Sequence, residues 1–429
     1  MKCRHCSQAL SQKVLDLAHA PPSNAYLTAA QLSAPETHYP LRLFFCARCG
    51  LVQTEDFRSA SDLFDSGYVY FSSTSRSWLA HAERFSQSAI TRLGLGKSSF
   101  VVEIASNDGY LLQNFVTAKI PCIGFEPTAS TAEAARGKGV ETRLEFFSEA
   151  SAAALLRERD GRGADLIIGN NVFAHVPDIN DFTHGMACLL APEGVISLEF
   201  PHLQELVEHG QFDTVYHEHF SYLSLTTVMR IFETAGLRVF DVERLPTHGG
   251  SLRVWACHAD ASQCLSPAVE EIAWGERLAG MDQAAYYSRL QEQADQAADA
   301  LVDFLVQCRG RGETVAAYGA AAKGTTLLNY ARIGRRLLAY AADAAPFKQG
   351  RYLPGSHIPV VAPSRLQAEP PDHLLILPWN LKEEIAADLA WLSEVHQTKL
   401  WTVMPRPARV LPPEQSQADN PGVLEYKAV

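Results

Sequence analysis

The densest run of reactive side chains in the sequence is Phe212-Asp213-Thr214-Val215-Tyr216-His217-Glu218-His219-Phe220-Ser221-Tyr222, with six titratable groups in eleven positions. An imidazole titrates near neutrality, so a histidine here suits proton removal from a carbon acid beside a ketone. Tyr216 and Glu218 can hydrogen-bond a substrate or orient that histidine. If the segment is extended, Tyr216, Glu218 and Phe220 share one face and His217 and His219 the other; if it turns, they can converge. Two other readings compete: a His-x-His metal site, which lacks a clear third ligand, and a satisfied polar core.

Cys3-x-x-Cys6 and Cys46-x-x-Cys49 form a second constellation, separated by residues 7–45. Each pair places two thiolates on one tight turn, and two such turns complete a tetrahedral shell that suits zinc. Four thiolates leave no open position, so the expected zinc is structural. Gly50 follows the second pair, where such a turn often needs positive φ.

A third signal is Val101-Val102-Glu103-Ile104-Ala105-Ser106-Asn107-Asp108-Gly109, a buried strand running into a glycine-containing turn, with a helix expected from about Tyr110. It reads as the first βα unit of a nucleotide-binding sheet. Gly124-Phe125-Glu126-Pro127 ends the next strand with an acid able to accept from both ribose hydroxyls. The GxGxxG spacing that brings backbone against a pyrophosphate is absent, which disfavours NAD and favours a cofactor without phosphates, S-adenosylmethionine. Glu145-Phe146-Phe147 offers an acid and aromatic surface for an adenine, although an aromatic pair is more often core. Asn170, Asn171 and His175 close the fourth strand, at the carboxyl end where such sheets bind ligands.

These groups need a scaffold. Strands are expected at 100–104, 122–125, 166–169 and 195–200, and again at 314–318, 337–341, 374–377 and 400–403, with helical stretches at 76–93 and 267–309 between. Strand–helix alternation at this spacing implies parallel, doubly wound sheets. The fold class is α/β, with a zinc-binding module at 1–62, a methyltransferase domain at 63–245, a second Rossmann-like domain at 246–409 and a tail at 410–429. A length of 429 residues fits two or three domains.

With 37 Lys and Arg against 48 Asp and Glu, the net charge of −11 opposes a nucleic-acid footprint, which needs a clustered basic face. No segment has the length of a membrane span, and the amino terminus has no apolar run typical of an export signal. A cytoplasmic monomer with reduced thiols is expected, with neither membrane nor nucleic-acid partners.

Together these motifs resemble the deoxysugar C-methyltransferases of antibiotic and surface-polysaccharide pathways. The resemblance covers nearly the whole chain. It runs through the paired cysteines, Tyr70-Phe71-Ser72-Ser73, Glu103–Gly109, Asn171–Val176, Tyr216–Tyr222, His248-Gly249-Gly250-Ser251-Leu252-Arg253 and Tyr318–Asn329, with the Tyr-His-Glu-His-Phe block the most specific. It implies His219 as base, with Tyr216, Glu218, His175 and Tyr70 as its companions. Glu103, Ala105, Asn107, Gly109, Phe125, Glu126, Glu145, Phe146, Asn170 and Asn171 would line the S-adenosylmethionine site. Tyr222, His248 and Lys323 would contact a nucleotide-sugar, with Gly319 and Gly324 allowing backbone approach to its diphosphate. The implied reaction is methylation at C3 of a 4-keto-deoxysugar, carried on dTDP or, alternatively, GDP. Three other functions compete on the residues alone: an O- or N-methyltransferase, a zinc-ribbon interaction protein, and an NAD enzyme using Gly319 and Asp343.

Overall fold

The computed structural model describes residues 1–57 and 71–411. In chain order its strands are β1 (Gln12–Ala20), β2 (Tyr39–Phe45), β3 (Val52–Thr54), β4 (Val101–Ile104), β5 (Cys122–Phe125), β6 (Thr142–Arg143), β7 (Ala164–Asn170), β8 (Leu190–Pro201) and β9 (Ser221–Tyr222). They continue with β10 (Leu237–Leu245), β11 (Ser251–His258), β12 (Val315–Tyr318), β13 (Ala341–Ala342), β14 (Val360–Val361), β15 (His373–Ile376), β16 (Lys399–Thr402) and β17 (Ala408–Arg409). The chain divides into two compact units. The first holds Met1–Asp16, Leu41–Glu208 and His217–Leu290; the second holds Leu17–Pro40, His209–Tyr216 and Gln291–Val429.

The first unit is built on a seven-stranded sheet, order β10-β11-β8-β7-β4-β5-β6. Its core strands are buried on both faces, and the alternation shows it. Val101, Leu166, Ile168 and Val195 pack into one apolar cluster, with Phe115 and Trp255. Val102, Ile104, Ile167, Ile196 and Leu198 pack into the other, as the two-residue period of a strand requires. The chain runs β4, β5, β6 outward and then returns to place β7 on the other side of β4. The carboxyl ends of β4 and β7 therefore flank the switch point where such sheets open a ligand crevice. Strands β10 and β11, not anticipated from sequence, form an antiparallel pair that extends the sheet beyond β8.

A small sheet, order β1-β2-β3-β9, carries the cysteine pairs at its end. Cys3, Cys46, Cys49 and Leu51 belong to the same buried cluster as Phe173, Val228 and Phe232, so the cysteine module shares a core with the large sheet.

The second unit holds a six-stranded sheet, order β14-β13-β12-β15-β16-β17, parallel except for its last pair. Its switch point lies between β12 and β15. The arm between the cysteine pairs packs here: Leu27 bridges Tyr352, Tyr26 Oη donates to Ala320 O (2.5 Å), and Glu36 accepts from Gly355 N (3.0 Å). Strand β13 begins at Ala341 because Leu337 and Leu338 turn back, both donating to Gly334 O. The long helical stretch is split. Its first helix, α1 (Pro267–Leu278), stops where Gly280 adopts φ +83°, and α2 (Arg289–Gly310) restarts after a 3-10 turn. Among the described residues no helix is long and apolar enough to cross a membrane.

Gly124 on β5 passes directly beneath the β4 turn: a Cβ there would fall 2.2 Å from Ser106 Oγ and 2.6 Å from Ser106 Cβ. Gly124→Ala is expected to destabilise the first unit by about 1–3 kcal/mol through overpacking. Adding Ser106→Gly should recover part of that loss in a thermal melt; a double variant no more stable than the single would refute this steric cause.

Candidate active site and cysteine cluster

The cysteine sulfurs already stand close to tetrahedral spacing. Cys3 Sγ and Cys49 Sγ are 3.5 Å apart, as are Cys6 and Cys46, and all four lie within 4.8 Å of one another. Zinc–sulfur bonds of about 2.3 Å give sulfur–sulfur edges of about 3.8 Å. The turns are built for this. Ser7 N closes on Cys3 O and Gly50 N on Cys46 O, with Gly50 at φ +80°. The Cys49 thiol hydrogen-bonded to Cys3 pulls Cys3 down to about 4, while Cys49 is pushed up by the same contact. Metal binding takes thiolates and releases thiol protons. Gln53 Nε2 also donates to Cys3 Sγ (3.2 Å). The donor set is all sulfur and closed, which fits structural zinc.

At the carboxyl end of β4 the chain makes a strained turn, with Ala105 at φ +56°, Asn107 at +49° and Gly109 at +74°. Two non-glycine residues in the left-handed region cost about 1–3 kcal/mol each, and such strain clusters at ligand sites. The turn is held from outside: Asn107 N donates to Glu126 Oε2 (3.0 Å), Thr128 N to Glu126 Oε1 (2.9 Å), and Ser72 N to Asn107 Oδ1 (2.9 Å). Ser73 Oγ donates to Asp108, which also pairs with Lys138 (3.0 Å). The Ser72-Ser73 pair, noticed in sequence only as part of a motif, therefore latches the turn.

Glu103 is buried and its Oε2 has no hydrogen-bond partner among the described residues. Burial first, then the charges of Asp108 and Glu126, hold its carboxyl well above the usual range. Neither side-chain amide atom of Asn170, at the end of β7, has a partner among the described residues. A buried acceptor-rich pocket of this kind calls for a ligand rich in donors. S-adenosylmethionine, with an ammonium, ribose hydroxyls and a sulfonium, fits it. Each Glu126 oxygen still has a lone pair for a ribose hydroxyl.

The structure places the other residues expected at the cofactor site as follows. Phe125 is 1% exposed and its ring meets Phe147 edge-on at 5.1 Å, so it offers the turn its backbone, accepting from Ser106 N. The third strand stops at Arg143, leaving Glu145 and Phe146 on the surface, each with 44% exposure. Phe147, not Phe146, is the core member of that pair. Asn171, at φ +54°, donates its N–H to Glu199 O (2.7 Å), and its Nδ2 lies 3.1 Å from His248 Nε2.

The reactive block turns instead of extending. After a 3-10 turn (Phe212–Thr214) it bends at His217–Glu218 and enters β9. His219 and Tyr222 come together with His175: ring centroids are 4.5 Å apart for His175–His219 and 6.0 Å for His219–Tyr222. His217 is buried, at 7% exposure, whereas His219 is half-buried. His175 Nδ1 donates to Glu218 O (2.8 Å), leaving Nε2 as a lone-pair nitrogen. Burial pulls His175 down to about 4, so it stays neutral at physiological pH. Backbone bonds fix the block: Phe220 N to Ala174 O (2.8 Å), Thr54 N to Phe220 O (3.1 Å), Thr54 Oγ1 to His219 O (3.0 Å), and β9 pairing with β3. Tyr216 belongs to the second unit. Tyr70 lies outside the described residues.

Near His248, a cluster unanticipated from sequence joins four elements: β8, β11, the 3-10 turn Thr247–Gly249 and the helix Arg76–Leu93. Glu199 accepts from Arg253 Nη2 (2.8 Å) and Thr247 Oγ1 (2.8 Å) and pairs with His81 (2.8 Å). His248 itself sits in the left-handed region at φ +55°, before two glycines.

In the second unit, Gly319 (φ +85°) to Lys323 forms the turn after β12. Lys323 Nζ lies 4.4 Å over the Trp379 ring and donates to Asn380 Oδ1 (3.2 Å). Burial lowers it to about 8, while Asp213 opposes that shift. Asp213, fully buried, accepts from Trp379 Nε1 (2.6 Å). A half-buried cation beside a glycine turn can neutralise a phosphate. Asp343 holds this turn by accepting from Ala320 N (2.7 Å). Cys308, Glu313 and His373 also cluster, but Trp401 Nε1 donates to His373 Nδ1 (3.0 Å). The neutral ring then carries its proton on Nε2, 3.2 Å from Glu313 Oε2.

Comparison with known proteins matches three family models: a zinc binding domain over residues 3–64, a methyltransferase domain over 78–242, and a C-methyltransferase C-terminal domain over 246–405. C-methyltransferase NovU of Streptomyces niveus is 34% identical over 384 residues, covering 90% of this chain and 91% of NovU. Among solved structures, magnesium protoporphyrin IX methyltransferase of Synechocystis PCC 6803 with bound SAH aligns over 42% of this chain and 83% of its own, at TM-score 0.33 and 13% identity. A SAM-dependent methyltransferase from Anabaena variabilis aligns over 42% and 86%, at TM-score 0.34 and 17% identity.

Since β3 follows the second cysteine pair and holds the His219 carbonyl, zinc should be needed for activity as well as folding. Stripping zinc with a chelator is expected to abolish methyl transfer in proportion to metal lost, with recovery on re-addition. Full turnover by zinc-free protein would refute that dependence.

Proposed function

The chain belongs to the C-methyltransferase family, as a S-adenosylmethionine-dependent enzyme with a zinc-binding module, and we propose that its acceptor is a dTDP-linked 4-keto-deoxysugar methylated at C3. The reading rests on one observation above all, the His175–His219 contact at 4.5 Å with His175 held neutral. A carbonyl at C4 makes the C3 hydrogen acidic, and a base beside a neutral imidazole does not face a second positive charge.

In this reading the domains run 1–62, 63–245 and 246–409, followed by a tail. S-adenosylmethionine supplies an electrophilic methyl on a sulfonium. Glu103, Ala105, Asn107, Gly109, Phe125, Glu126, Glu145, Phe146, Asn170 and Asn171 hold it, Phe125 through its backbone. His219 removes the C3 proton. His175 and Glu218 orient that imidazole, and Tyr216, Tyr70 and Tyr222 donate to the enolate oxygen, which a preorganised donor stabilises more than water does. His248 contacts the sugar and Lys323 the diphosphate. Holding both reactants in one complex supplies much of the rate. The enzyme works in the cytoplasm as a monomer.

The direct test is incubation with S-adenosylmethionine and a dTDP-4-keto-2,6-dideoxyhexose, read by mass spectrometry and proton NMR. A methyl singlet on a ring carbon is expected, with His219→Asn lowering turnover by roughly 10²–10⁴-fold, the usual worth of a general base. In deuterated water without cofactor, the C3 position should take up solvent deuterium. A methyl on oxygen or nitrogen, with no such uptake, would overturn the enolate.

The raised carboxyl of Glu103 gives a second test. Ligand donors favour its ionised form, so binding releases a proton. Affinity for S-adenosylmethionine should therefore fall as pH drops through that raised pKa and level off above it. Calorimetry in buffers of different ionisation enthalpy should detect the proton, and Glu103→Gln should remove it; identical proton release from the variant would clear Glu103 of the role.

A further inference from the structure

Arg4 stands between the thiolates of Cys3 and Cys6. Its side chain is 5% exposed, and its guanidinium reaches three separate segments. Nη1 donates to Pro177 O (2.9 Å), and Nη2 to Thr54 O (3.0 Å) and Asp56 Oδ1 (2.8 Å). The guanidinium carbon lies 5.2 Å from the Phe220 ring centre. The Asp56 side chain is 56% exposed, so that ion pair contributes little. The bonds to the two carbonyls, the one to Thr54 partly buried, are what join Arg4 to fixed backbone.

Those carbonyls belong to the segments that carry the two histidines. Pro177 lies two residues after His175. Thr54 donates its hydroxyl to His219 O and its N–H to Phe220 O, and Phe220 N returns to Ala174 O. The bonds close a ring that passes Arg4, Pro177, Ala174, Phe220 and Thr54, with His175 and His219 each one residue from it. The Arg4 backbone is fixed in turn. Its N–H donates to Gln53 Oε1 (3.0 Å), and next to it His5 exchanges hydrogen bonds with Asn180 (2.8 Å each). A planar fork of donors can meet a carbonyl on β3 and another on the bend at Pro177 from one position; an ammonium is a point charge on a flexible stem.

We propose that Arg4 is a positioning residue for the histidine pair: it ties the turn carrying His175 to β3, whose Thr54 holds the His219 carbonyl, from a backbone position that the zinc knuckle fixes. The proposal rests on the reading of His219 as the base. It makes the metal site part of the catalytic geometry, because the knuckle holds a side chain that reaches both segments.

Arg4→Lys in the full chain, loaded with zinc, is the test. Zinc stoichiometry, affinity for S-adenosylmethionine and both KM values should match wild type. Turnover should fall on the order of tenfold to a hundredfold, the cost of an ångström-scale misplacement. Backbone deuterium exchange should quicken at the Phe220 amide. Thr54→Val, which cuts the bond to His219 O without touching the knuckle, should give the same split, and Asp56→Ala should leave turnover unchanged. Wild-type kcat in Arg4→Lys overturns the proposal. So does joint loss of zinc, cofactor binding and turnover there if Thr54→Val keeps full kcat, for that would mark a purely structural clamp. If His219→Asn keeps its turnover, the base assignment has failed instead, and exchange at Phe220 alone decides the part of Arg4.

Discussion

The pairing of β9 with β3 is the contact on which the rest of the site depends. A two-residue strand has no stability of its own, and the segment leading into it is a turn. Without an external template, His219 and Phe220 would leave buried carbonyls without donors, each costing about 1–3 kcal/mol. Thr54 satisfies both, one with its N–H and one with its hydroxyl. The β2–β3 hairpin can play that part because the cysteine turn at Cys46–Cys49 sits at its bend. The large sheet sets the other half through Ala174 and the turn after β7. The histidine pair is thus held between two sheets of the same unit, and neither alone would fix its geometry.

The cofactor end works on a different principle. There the backbone is strained and the acids are buried, at a cost the surrounding packing meets. Glu126 and Ser72 hold the turn in its left-handed conformation by satisfying its amide and side chain. Gly124 leaves room for the turn underneath. Glu103 and Asn170 are left with acceptors and donors that only a ligand completes. Rigid backbone with unsatisfied polar atoms is how a site binds tightly without reorganising first.

Much of this was readable in the amino-acid order because its signals are local. Paired cysteines at fixed spacing, a strand ending in a glycine turn, and six titratable groups in eleven positions need no knowledge of distant contacts. The alternation of buried strands likewise pointed to two α/β sheets. What escaped was non-local. Arg4 reads as a charge beside a metal knuckle, and Thr54 as an ordinary strand residue; each acquires its part only when a segment more than a hundred residues away arrives. Phe125 and Phe146 differ in a way that the order of residues does not give: one is core and the other stands exposed beyond the end of its strand. Strands β10 and β11 lacked the helix between them that announces parallel strands, and Gly280 broke a helix whose composition gave no other warning.

The arm Leu17–Pro40 lies in sequence between the two cysteine pairs, yet its partners Ala320, Tyr352 and Gly355 stand near the other end of the chain. Synthesis proceeds from the amino terminus, at roughly 5–20 residues per second, so the arm leaves the ribosome about 20–75 s before the sheet it packs on can exist. During that interval both ends of the arm can already be anchored by metal while its middle has nothing to bury against. Tyr26 and Leu27 are then exposed in a loop of fixed ends, a state in which a chaperone, or a neighbouring nascent chain, can reach them first. Assembly of this protein is therefore not vectorial: a segment made before its partners waits for them to be synthesised.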